Sequence, residues 1–160
     1  MLGKWLTLGL NAEQEDRFRQ ANLAADIAQA RICILLIMGP VAAFALNDYG
    51  FFGLSWPFYV ISALRLALLG YTVRLLRRFR GMESYITYDR AEFTWGLSFA
   101  VFTVAIAATR PHAFIAHTIV VVLAVFLTVL AVPNRFSNQL IVSMVYAVGE
   151  TFVIVPGLRQ

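Results

Sequence analysis

Cysteine occurs once in the 160 residues, at Cys33. One thiol excludes an internal disulfide and any CxxC metal site. Its place in "ARICILLIMG" is that of a small hydrophobe packed in a helix. Charge is scarce as well: charged residues make up 14% of the chain, against about 25% in globular domains. Histidine occurs twice, at His112 and His117. Five residues apart, they point about 140° away from each other around a helix, so one helical face cannot bring both to one metal. A bis-histidine haem would need ligands on two helices, and the other helices supply none. HExxH, the P-loop, GxSxG and glycine-rich nucleotide fingerprints are all missing. The chain is therefore read as a non-enzyme with no cofactor and no metal site. The start, "MLGKWLTLGLNAEQEDRF", has no small-residue cleavage site and reads as a retained cytoplasmic segment.

Apolar sequence fills the space. Hydrophobic residues reach 60% and mean hydropathy is +0.73, well above the 45–50% apolar content of ordinary globular domains. A membrane span needs roughly 20 mostly apolar residues. Five stretches approach that: 31–46, extended backwards through "NLAADIAQA", then 56–76, 93–109, 113–132 and 140–155. The breaks between them carry Gly, Pro, Asn or charge where helices end. The expectation is all-α, a polytopic transmembrane helix bundle of five spans (31–160), preceded by a cytoplasmic or interfacial helix (1–30). A sixth span is expected beyond the chain end.

Ten basic residues fall on one side of this arrangement: Lys4, Arg17, Arg19, Arg31, Arg74, Arg77, Arg78, Arg80, Arg90 and Arg135. Only Arg110 and Arg159 fall on the other. By the positive-inside rule the N-terminus is cytoplasmic. Tyr49, Phe51, Phe52 and Trp56 then form an outer aromatic belt. The run "VRLLRRFR" holds orientation and meets the bilayer, with Arg74, Arg77, Arg78 and Arg80 on anionic lipid and no nucleic acid as partner.

Arg65 is the thirteenth basic residue and lies inside the second span, in "ALRLALL". A charge near mid-membrane costs about 2.5–3.5 kcal/mol on insertion scales, so it needs a partner. Arg65 lies roughly 11–14 Å below the outer end of its helix, and Glu150 about 8 Å below the same surface. The expected partner is Glu150, with Asp48 second. Ser62, Arg65, Leu69 and Thr72 form one polar-leaning stripe, and Gln139, Ser143, Tyr146 and Glu150 form another. Helix 3 offers Thr94, Ser98, Ala105 and Thr109 as a small-residue packing face. Asn47, Asp48, Arg110, His117 and Tyr146 would join Arg65 and Glu150 around an outward-facing polar site for a small ligand. Gly39-Pro40 suggests a bend in helix 1.

Several stretches together carry a resemblance: the acidic lead helix, "FALNDYGFFGLS", "FYVISALRLALL", "ATRPHAFIAH" and "VPNRFSNQ". Their order resembles the N-terminal multi-helix membrane sensor regions of bacterial signalling proteins, those attached to diguanylate cyclase, adenylate cyclase or histidine kinase outputs. The resemblance implies a dimeric sensory input domain in the bacterial inner membrane that controls a cytoplasmic output. This chain has no GGDEF-type motif. The rival expectations are a small transporter or transporter subunit, and a scaffold subunit of a membrane complex. Apolar cytoplasmic halves of helices 1 and 4 favour sensing over transport.

Overall fold

The computed structural model describes residues 11–109, 119 and 122–157. Helix α1 runs Ala12–Phe52, 41 residues and about 60 Å at 1.5 Å per residue. Its start is fixed by a capping box. The Gln14 N–H donates to the Asn11 side chain at 2.8 Å, and the Asn11 N–H donates to the Gln14 side chain at 3.1 Å. Glu13 and Glu15 in the first turn suit the positive end of the helix dipole. The expected boundary at residue 30 falls inside α1, so the lead segment and the first span are one rod. Pro40 is accommodated within it without ending the helix.

Gly53 ends α1. Its φ of +56° is open to glycine, and its N–H returns to the Tyr49 carbonyl at 2.8 Å. Residues 53–55 form the whole turn into α2, Trp56–Arg78, so α1 and α2 are antiparallel neighbours. A 3₁₀ turn, Phe79–Gly81, leads to α3, Tyr85–Ala108. After the undescribed residues 110–118, helix is resumed over 122–126 and closes in a π-helical turn, Leu127–Ala131. Pro133 keeps the chain from continuing as helix, and α4 follows over Phe136–Gly157. No strand occurs among the described residues.

The π turn leaves carbonyls that no helix satisfies, and side chains from other elements take them up. Gln29 donates to the Ala131 carbonyl at 2.8 Å, and the Cys33 thiol to the same oxygen at 3.2 Å. Gln139 caps Val132 at 2.9 Å and the Tyr88 hydroxyl caps Pro133 at 2.7 Å. Three helices thus close on one interruption between helices.

Three helical segments among the described residues are long and apolar enough to cross a membrane: Glu13–Phe52, Trp56–Gly81 and Tyr85–Ala108, each holding an 18-residue stretch of mean hydropathy 1.9, 1.4 and 1.5 in turn. The described residues thus support three spans, not the expected five. Eight of the twenty residues of the fourth stretch, 113–132, lie outside the described residues, and the fifth lies within α4. Around the apolar core the exterior is itself rich in large apolar side chains, and several ionisable ones are buried. Leu46, Trp56 and Phe152 are 76–79% exposed, while Asp48, Arg65, Asp89, Glu92 and Glu150 are all buried. Large apolar side chains outside and ionisable ones inside is the pattern that lipid imposes.

The interior is aromatic. Tyr88, Trp95 and Phe99 of α3 meet Phe79 and Tyr146, with Trp95 stacked on Phe99 at 5.6 Å. The Trp95 indole donates to the Thr72 hydroxyl at 2.9 Å, joining α3 to α2. The expected small-residue face of α3 is corrected here. Thr94 and Ala105 are exposed, and the buried face is Tyr85, Tyr88, Glu92, Trp95 and Phe99. Thr94 and Ser98 can face outward because their hydroxyls bond back to Arg90 and Thr94 carbonyls, at 2.7 and 2.8 Å. Close approach comes instead from Gly149 of α4, where a Cβ would lie 2.6 Å from Val104 Cγ2.

Candidate functional site

Two polar centres are built into the bundle, one towards each end. The first surrounds Arg65, which is 4% exposed. Its guanidinium is paired with the Asp48 carboxylate and also donates to the Val41 carbonyl, both on α1. Its face lies 5.6 Å from the Phe102 ring centroid on α3, a cation–π arrangement. The expected pairing with Glu150 is therefore corrected: Asp48 is the ion partner. The reason is geometric. The three-residue turn places α1 directly beside α2, and the arginine stem reaches along the helix towards the 53–55 turn, near which Asp48 stands.

Glu150 is buried at 6% exposure, and neither carboxylate oxygen has a hydrogen-bond partner among the described residues. The Tyr146 hydroxyl, one turn away on the same face of α4, is buried and also without one. Asn47 is exposed, so it turns away from this centre. Arg110, His112 and His117 lie outside the described residues. Of the expected outer-site residues, the structure joins Arg65 to Asp48 and leaves Glu150 and Tyr146 as a second, unbonded polar pair in the interior. Burying polar groups without partners is costly, so these two are candidates for meeting a ligand, a proton or water.

The second centre was not foreseen. Asp89, buried near the start of α3, is ion-paired with Arg19 of α1 and accepts from Arg135 Nε at 3.2 Å. Arg135 also donates to the Tyr85 hydroxyl at 3.2 Å, and that hydroxyl donates to Asp16 at 2.5 Å. The Tyr85 ring lies beneath both guanidinium groups, 5.8 Å from Arg19 and 5.5 Å from Arg135. Gln20 adds a bond to the Glu83 carbonyl at 2.7 Å and accepts from the Tyr85 N–H at 3.3 Å. Asn134 donates to the Asp89 carbonyl at 3.4 Å. This network ties α1, α3 and the segment before α4 together. Glu92, one turn along α3 from Asp89, is buried beside it.

Reading "RRFRGMESYITYDR" as a connecting loop hid this centre. The signal was present: 85, 88, 92, 95 and 99 continue a 3–4 spacing unbroken from the supposed loop into the span. The basic residues Arg74, Arg77, Arg78 and Arg80 are exposed along the last turns of α2 and the following 3₁₀ turn.

The chain matches no family model, no curated protein and no solved structure.

Proposed function

We propose that this chain is a sensory input module of a bacterial inner-membrane signalling protein. In this reading the N-terminus and the turn at 79–84 are cytoplasmic, and the Arg65–Asp48 centre lies in the outer half of the bundle. A signal meeting that centre changes helix packing, and the change reaches a cytoplasmic output. The positive-inside asymmetry supports the orientation.

One observation carries the proposal. Helix α1 holds Asp48 of the outer centre and Asp16 and Arg19 of the inner network on one unbroken rod. Twenty-nine residues separate Arg19 from Asp48, about 44 Å along the axis. Any shift of α1 that repacks one centre must be accommodated at the other. Sensing needs such a shared element, together with a signal that binds its two positions differently.

Distance measurements by pulsed electron resonance test this. Spin labels on Ala24→Cys of α1 and Ser137→Cys of α4, in a Cys33→Ala background, report the inner end in lipid nanodiscs. Arg65→Gln should shift or broaden that distance distribution although it acts at the far end of α1. Superimposable distributions would remove the basis of the proposal.

Buried acids in the inner half favour a second reading. Glu92 and Asp89 continue the polar interior beyond Thr72 and Trp95, so polar groups extend through α3 in a way that the apolar inner halves of the 31–46 and 113–132 stretches did not suggest. A proton-coupled transporter would use such a column. Proton flux into proteoliposomes that is lost in Glu92→Gln would support this reading over sensing.

A further inference from the structure

A cleft of about 410 Å³ opens between the inner ends of α2 and α3. Tyr71, Arg74 and Arg78 line one wall, and Thr87, Arg90 and Thr94 line the other. The spacing explains the convergence: 71, 74 and 78 share one face of α2, and 87, 90 and 94 share one face of α3. Leu75 and Ala91 close its apolar floor, and no acidic side chain is among the lining residues.

From this cleft we infer a binding site for the phosphate headgroup of an anionic phospholipid, held by Arg74, Arg78 and Arg90. Three guanidinium groups around one concavity repel one another unless an anion lies between them. Guanidinium forks match phosphate oxygens in pairs. None of the three makes an ion pair among the described residues. The choice of a lipid over a free anion comes from position. The cleft lies at the ends of two helices apolar enough to span a bilayer, with an apolar floor that an acyl chain can follow. Basic pockets between helices on the cytoplasmic side are where such headgroups bind.

The arginine-rich run thereby divides into two. Arg77 and Arg80 line a separate, smaller hollow with Arg31 on another flank of α2. The two flanks make the test internal. The inference rests on the membrane-embedded reading and is independent of the sensory one.

The full chain would be purified in detergent with phosphatidylglycerol and phosphatidylcholine offered in equal amounts, and the retained lipid counted by native mass spectrometry. The wild type should retain phosphatidylglycerol preferentially. The double variant Arg74→Gln with Arg90→Gln should bind it at least tenfold more weakly, whereas Arg77→Gln with Arg80→Gln should stay within about twofold. Thr87→Glu, which places a carboxylate in the cleft, should expel the lipid with all arginines intact. Equal losses from the two arginine pairs would mean diffuse charge attraction and overturn the site. Retention of phosphatidylcholine as strongly as phosphatidylglycerol would also overturn it. Displacement by millimolar inorganic phosphate would assign the cleft to a free anion and overturn the lipid.

Discussion

Arg65 stands about 13 Å along α2 from Trp56, and Asp48 about 6 Å from the end of α1. The difference matches the length of an arginine side chain stretched towards the 53–55 turn. Depth alone had admitted both Asp48 and Glu150 as partners. What ranked them was adjacency, and adjacency was legible in the shortness of the turn at 53–55. Breaking a buried pair leaves one charge uncompensated, so Asp48→Asn should cost about 3–5 kcal/mol of unfolding free energy in bicelles. Glu150→Gln should cost little or stabilise, since its carboxylate makes no hydrogen bond or ion pair among the described residues. Equal penalties for the two variants would restore Glu150 as the arginine's partner.

Helices α3 and α4 meet where Gly149 faces Val104. A methyl at 149 would enter the van der Waals shell of a stiff, β-branched side chain. Gly149→Ala should therefore destabilise the bundle by about 1–3 kcal/mol, in the range of core overpacking. Adding Val104→Ala should return part of that loss, and thermal unfolding in detergent reads both. If Gly149→Ala is neutral, the helices are not held that close. The sequence disclosed the stripes on α2 and α4, because Arg65, Thr72, Tyr146 and Glu150 break otherwise apolar runs. It misled on α3. There Thr94 and Ser98 look like an interior face, yet their hydroxyls are satisfied within their own helix and the aromatic side takes the core. Whether a hydroxyl bonds back to its own helix is decided by rotamer, and spacing alone does not encode it. The ion network around Asp89 was hidden for another reason. Its members are 70 and 46 residues apart in sequence, so only the packed bundle brings them together.

Across the molecule, the buried ion pairs among the described residues sit in two layers joined by α1. One layer, near the 53–55 turn, fastens α1 to α2, and the other fastens α1 to α3 and to the segment before α4. A double-mutant cycle between Arg65→Gln and Arg19→Gln tests directly whether α1 makes these layers one device. Unfolding free energies would be measured for wild type, both single variants and the double variant in bicelles. The account predicts a coupling of about 1–3 kcal/mol between residues at opposite ends of the bundle, the usual size of allosteric coupling. Additivity within about 0.5 kcal/mol, as for distant and independent sites, would contradict it.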